Sequence, residues 1–261
     1  MEHIGKCNGG SRVSGFESHH LNKQKKQKIM ATMRDLSQVE DIRLGCLFQP
    51  DEKNFAAAPV IQDRKLKKRI WRLDTLRNQG NTSMCTAYFM SHELTATPVV
   101  INPIPDSFIR NMYCEAQKID PWEGDECGGS PAYGGTSMLA IVKVAHKLKF
   151  FEEYRWASTA EEVAKAIAYY GPVGLGIRWY SDMSRPDVNN FIHPTGTLQG
   201  GHAICAIGVD PEKEMFILAN SWGTNWGDKG YCYLSFKDLN TLFQQNAEAV
   251  FFLRRKFRQI K

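Results

Sequence analysis

The chain has 261 residues, 43% hydrophobic and 23% charged, with a formal net charge of +5. This is the composition of a soluble globular protein, long enough to bury a core in one large domain or two small lobes. No apolar run nears the length of a membrane span and the N-terminus lacks the apolar stretch of a signal peptide, so neither a membrane partner nor export by that route is expected.

Residues 1–32 hold scattered glycines and serines, His19, His20 and a lysine run, without apolar periodicity. They are expected to be a disordered extension or leader, reaching to residue 45. His19-His20 reads as a solvated pair rather than a metal site, and Met30 and Met33 are alternative starts. From Cys46 on, Pro50, Pro59 and the lack of a period predict an extended crossing segment, and Ile70 to Leu73 reads as a short strand. Asn78 to Phe89 changes from a polar, glycine-containing turn to an apolar run at Cys85, predicting a helix from near Cys85 to about Ser91–Leu94. Phe108, Ile109, Met112 and Tyr113 have the spacing of a second helix. Residues 120–135 form a loop rich in glycine and proline, after which Thr136 is the expected N-cap of a helix. Met138, Leu139, Ile141, Val142, Ala145 and Leu148 make its apolar face. Ser158 and Glu161 have capping-box spacing, and Gly171-Pro172 ends the helix that follows. Strands are predicted over 173–177, 203–209, 215–219, 231–236 and 249–253. Helices first and strands later predict an α+β architecture.

Seven cysteines are scattered at 7, 46, 85, 114, 127, 205 and 232, with no zinc-ligand spacing. No metal and no cofactor are expected, and reduced, mostly buried thiols point to a cytoplasmic or other reducing compartment, virion association being open. A bridge between Cys114 and Cys127 is the alternative for one pair. Basic clusters stand at 23–28, 64–69 and 254–258, the last in a tail over 254–261. They read as solvated surface, so no nucleic-acid partner is expected, and the oligomeric state stays open.

Three stretches carry chemistry. A cysteine at a helix N-terminus has its thiolate favoured by the unpaired N–H groups there, and Gln79, six residues before Cys85, offers an amide donor. Gln199-Gly200-Gly201-His202-Ala203 places a histidine where a glycine turn enters a buried strand. Asn220-Ser221-Trp222-Gly223-Thr224-Asn225-Trp226-Gly227 places an asparagine directly after another strand.

With these motifs, in the order Cys, His, Asn, the chain resembles the papain family of C1-type cysteine peptidases, nearer to bacterial and phage-like branches, over about residues 46–253. The resemblance implies a two-lobe fold. The helical lobe would span about 85–165. A β-barrel-like antiparallel lobe would span about 166–253 plus the 69–75 strand, with the cleft between. It implies Cys85 as nucleophile, His202 as base and acid, Asn220 as orienter of the imidazole and Gln79 as oxyanion donor. Gly134 and Gly135, preferred over Gly128 and Gly129, would line the substrate cleft with Gly201 and Trp222. The implied activity is endopeptidase cleavage of protein or peptide substrates through a Cys85 thioester. Thr82, Met84 and Thr86 depart from the family's local pattern, and Thr82 rules out the usual disulfide at that position. The alternatives are an NlpC/P60-like cell-wall peptide hydrolase and a catalytically weak scaffold kept for binding.

Overall fold

A computed structural model of the chain describes residues 43–51, 56–122 and 134–260. Residues 36–261 belong to one compact unit, and the other unit, residues 1–35, lies outside the described residues. In chain order the elements are β1 (Cys46–Leu47), α1 (Ala58–Ile61), β2 (Arg69–Ile70), α2 (Cys85–Thr95), α3 (Asp106–Gln117), β3 (Thr136–Ser137) and α4 (Met138–Lys147). Then come β4 (Glu153–Ala157), α5 (Ala160–Tyr169), β5 (Val173–Tyr180), β6 (Leu198–Asp210), β7 (Met215–Ala219), β8 (Tyr231–Ser235), α6 (Phe236–Phe243) and β9 (Glu248–Leu253). The α+β expectation holds in this arrangement.

A seven-stranded antiparallel sheet runs β4-β9-β5-β6-β7-β8, with β2 added to β6. Strand β6 is its longest member and has a hydrophobic cluster on each face. Ala203, Cys205 and Ile207 point toward α2, α3 and α4, while Ile204 and Ala206 point toward α5 and α6. This is the two-residue alternation of a strand buried on both sides. A register shift between Ala206 and Gly208 breaks the alternation and sends Val209 to the second face.

Helix α2 is buried along its whole length, so it packs as a central rod. Its Phe89 ring lies where a side chain on Gly174 of β5 would stand, 2.1 Å from the ideal Cβ position. A glycine at 174 is therefore what lets the helix sit directly on the sheet. Burying a ring of that size contributes about 2–3 kcal/mol.

Several predicted boundaries move. Ser137, not Thr136, caps α4, accepting from the Ala140 N–H at 3.0 Å, while Thr136 lies in β3 and donates to Asp120. Thr159, not Ser158, caps α5, and the acid that folds back onto Ser158 is Glu162 rather than Glu161. In each case the residue next to the predicted one has the extended backbone a cap needs. Of the predicted 70–73 strand, Ile70 pairs with β6 together with Arg69, the Trp71 N–H donates to Ile207 O, and Leu73 forms an isolated bridge with Ala96. Strand β4 is an element the sequence reading does not include, although Glu153-Tyr154-Arg155-Trp156 alternates charged and aromatic residues. Cys46, Cys85, Cys205 and Cys232 are free and buried, in line with the reduced reading, whereas Cys114 is disulfide-bonded, the alternative kept open for that thiol. Cys127, its considered partner, lies outside the described residues.

Candidate active site

The nucleophile candidate opens α2. Nothing caps that end through a side chain, and the N–H groups of Thr86 and of Cys85 itself turn toward the Cys85 sulfur. Two further N–H groups face the sulfur, from Ala203 of β6 and Gly45 of the segment before β1. The Ala203 contact sets Cys85 beside His202, because packing of α2 against β6 brings a helix end to the residue after the histidine.

His202 Nε2 lies 2.8 Å from Asn220 Oδ1. That oxygen also accepts from the Ser221 N–H at 2.8 Å, which fixes it as the amide oxygen. The imidazole proton therefore sits on Nε2, and Nδ1 is left to exchange a proton. The pairing follows from the sheet. Antiparallel β6 and β7 place Cys205 opposite Ala219, so the residue after β7 lands beside the start of β6's buried half. Trp222 covers the imidazole at 4.9 Å between ring centroids, and Trp179 of β5 meets it edge-on at 4.8 Å. Trp179 was missed in sequence because a strand tryptophan reads as core; its pairing with Gly200 in β5–β6 is what aims it.

Gln79 is held at both ends of its amide. Its Oε1 accepts from Ser221 Oγ at 2.6 Å, and its Nε2 donates to Thr82 O at 2.6 Å and Arg43 O at 3.0 Å. The structure thus links the four residues in one chain of neighbours: Cys85 at the N–H of the residue after His202, His202 on Asn220, and Gln79 on Ser221, the residue after Asn220. Cys85, His202 and Asn220 have 0% exposure and Gln79 has 2%.

The segment 43–51 runs across the site, with Gly45 at the Cys85 sulfur and Arg43 O at the Gln79 amide. The Arg43 guanidinium lies 4.2 Å over Trp222. Gly45 O accepts from the Thr136 N–H at 3.0 Å, and β1 pairs with β3 in parallel. Gln49 takes Ser137 Oγ on its side-chain oxygen and gives its N–H to Glu248. Asp51 accepts from Trp156 Nε1. The predicted cleft glycines line this track. An ideal Cβ on Gly135 would stand 2.1 Å from Gly45 O, and one on Gly201 2.0 Å from Cys46 O. Gly134 faces Ser83 instead. Gly128 and Gly129 lie outside the described residues.

With the segment in place the Cys85 thiol is pushed up to about 11, because burial penalises the thiolate more than the surrounding N–H groups stabilise it. Burial also pushes the Glu248 carboxyl up to about 8. His92, on the far turn of α2, is buried and drops to about 3 by burial and the nearby Arg77 charge; its Nε2 accepts from the Arg77 N–H. It is a structural acceptor, as a helix histidine usually is.

A family model described as papain family cysteine protease matches residues 112–250, a span that holds His202 and Asn220 and begins after Gln79 and Cys85. Cathepsin B-like cysteine proteinase 3 of Ostertagia ostertagi is 28% identical over 133 residues, covering 49% of this chain and 76% of that protein. Cathepsin B-like CP3 of Giardia intestinalis is 32% identical over 117 residues, covering 41% of this chain but only 39% of its own length. Among solved structures, xylellain from Xylella fastidiosa superposes with a TM-score of 0.53 at 20% identity, covering 84% of this chain and 94% of that one. Recombinant stem bromelain precursor gives 0.55 at 14% identity, covering 83% and 78%. These two likenesses establish the papain-like two-lobe fold. With the family match spanning more than half its length, the chain belongs to the papain family of cysteine proteases.

Proposed function

We propose that this chain is a cysteine endopeptidase whose own segment 43–51 occupies its cleft. One observation carries the catalytic part: the Cys85 sulfur lies at the Ala203 N–H, next to a His202–Asn220 pair 2.8 Å apart. His202 Nδ1 takes the thiol proton and the Cys85 thiolate attacks a peptide carbonyl. Asn220 holds the imidazolium without adding charge. The oxyanion forms between Gln79 Nε2 and the Cys85 N–H, each such donor contributing about 3 kcal/mol. The imidazolium protonates the leaving amine. Water, activated by His202, then releases the acyl group from the Cys85 thioester.

Thr82 and Thr86, which differ from the secreted cathepsin pattern, support a place nearer to the bacterial and phage-like branches. Substrates are proteins or peptides, since the track over Gly135 and Gly201 accepts an extended backbone.

Incubation with an epoxysuccinyl peptide, read by intact mass, tests the proposal in the whole chain and in Gly45→Ala. A Cys85 adduct together with casein hydrolysis is expected, both absent in Cys85→Ala. No adduct and no hydrolysis in either folded protein would overturn it. Release of fragments from purified peptidoglycan without casein cleavage would favour the cell-wall alternative.

A further inference from the structure

Three hydrogen bonds meet at one buried hydroxyl that plays no part in the chemistry above. Tyr113 Oη, on α3, receives the Gly135 N–H at 2.8 Å and the Gln117 Nε2 at 3.0 Å, and lies 3.0 Å from Ser83 Oγ. The Gln117 assignment is fixed because the same nitrogen also donates to Gly135 O at 3.2 Å. A phenol has two acceptor lone pairs and one proton. Gly135 and Gln117 fill both lone pairs, so the Tyr113 proton goes to Ser83. The Ser83 proton is then left to point elsewhere.

The place of these residues gives the arrangement its meaning. Ser83 is two residues before Cys85, on the loop that delivers the nucleophile. Gly135 is the wall along which the segment 43–51 passes, held by the neighbouring Thr136 N–H. Ser83 itself lines the track, since an ideal Cβ on Gly45 would stand 2.8 Å from Ser83 Cβ and one on Gly134 3.3 Å from Ser83 Oγ. Tyr113 therefore joins the two sides of the cleft from behind, while its ring is anchored in the α2–α4 core.

We propose that Tyr113 is a positioning residue for the substrate: its hydroxyl sets the spacing between the nucleophile loop and the Gly134–Gly135 wall and turns the Ser83 hydroxyl toward the bound backbone. Without that hydroxyl the Gly135 N–H and the Gln117 amide lose a buried acceptor, and the wall is free to shift relative to Cys85. The chemistry at sulfur is untouched, because Tyr113 bonds to none of the four catalytic side chains. The effect falls on ligands that span the wall and spares those that touch sulfur alone.

This inference rests on Cys85 being the nucleophile, and the test separates the two. In the full chain, Cys85 modification is timed by intact mass with iodoacetamide and with an epoxysuccinyl dipeptide. Opening of the covering segment enters both rates equally, so their ratio reports only the hold on the dipeptide. Tyr113→Phe is expected to lower the ratio about tenfold, the scale set by a buried donor losing its acceptor. Ser83→Ala, less exposed to a folding failure, is expected to lower it about threefold, and the double variant to be no worse than Tyr113→Phe alone. An unchanged ratio in both single variants, or a fall shared equally by the two reagents, would overturn the positioning role. A failure of the dipeptide to modify Cys85 in the unaltered chain would instead overturn the nucleophile assignment, and this inference with it.

Discussion

The Gln79 amide donates to the Arg43 carbonyl oxygen, while the Cys85 sulfur faces the N–H of Gly45, two residues further along the same segment. Attack requires one carbonyl to meet both groups at once. Here Gln79, the proposed oxyanion donor, holds one peptide unit and Cys85, the proposed nucleophile, faces another. The segment is thus bound along the cleft with no bond presented for cleavage, which makes it a lid rather than a substrate. The parallel pairing of β1 with β3 fixes that register.

Gly45 is the weak point of the lid. A Cβ there would lie 2.0 Å from the Ser83 backbone oxygen, a clash no rotamer relieves. Gly45→Ala should therefore lift the segment off the site. Iodoacetamide modification of Cys85 at neutral pH is expected to accelerate at least about tenfold, the equivalent of about 1.4 kcal/mol, with a parallel rise in casein hydrolysis. Equal modification rates in the two proteins would mean that the segment does not control access.

The closed site also has a pH signature. Burial raises the Cys85 thiol to about 11, so the neutral form is favoured when the segment is in place. For such a group the reactive thiolate grows about tenfold per pH unit below its pKa. The alkylation rate of the unaltered chain should climb steadily from pH 7 toward 10, while Gly45→Ala, with its sulfur resolvated, should reach its plateau at lower pH. A flat profile in the unaltered chain would show that the thiolate persists under the lid.

How much of this was legible before the structure depended on whether the signal was local. Cys85 at a helix start and Asn220 at a strand exit are each marked by a change of pattern, whereas His202, expected at a strand entry, is the fifth residue of β6 because Gly200 and Gly201 already pair with β5. The antiparallel sheet then brings His202 and Asn220 together. Trp179 and Tyr113 carry no such mark. Each lies in a regular apolar pattern that predicts a core residue, and only the fold reveals that one ring faces His202 and the other hydroxyl faces Ser83. The prolines of the crossing segment predict an extended chain, yet nothing in its residues names the groove it crosses. That depends on Gly135 and Gly201 leaving room for a backbone far away in sequence. The cap shifts at Ser137 and Thr159 have a smaller cause, since adjacent hydroxyl residues compete and the neighbouring strand decides between them.

Asn220 accepts from both the His202 ring and the Ser221 N–H on a single oxygen. Asn220→Ala removes the orienting bond without a change of charge, together with the acceptor of the Ser221 N–H. In a lid-released background, kcat is expected to fall about 10- to 100-fold with KM little altered, roughly 1.4–2.7 kcal/mol of lost transition-state stabilisation. A KM rise at constant kcat would assign Asn220 to binding instead.

Stability at the far end of the nucleophile helix rests on a buried ion pair. Arg255, beyond β9, bonds Glu93 Oε1 and also the Glu93 backbone oxygen at 3.2 Å, so it satisfies a carbonyl near the end of α2 as well as a carboxylate. The Glu93 side chain is 1% exposed and that of Arg255 8% exposed. Removing one partner leaves the other charge in a site that water does not reach. Glu93→Ala is expected to cost about 3–5 kcal/mol, seen as a drop in melting temperature of roughly 6–20 °C. Replacing both partners, as Glu93→Leu with Arg255→Met, removes the stranded charge and should recover much of that loss, because a buried pair contributes little over well-packed apolar groups. Calorimetry of the two variants decides the matter. If Glu93→Ala melts within about 2 °C of the unaltered chain, less than 1 kcal/mol is at stake and the pair does not hold α2 in place. If the double variant is the least stable of all, the carbonyl that Arg255 caps matters more than the charge it neutralises.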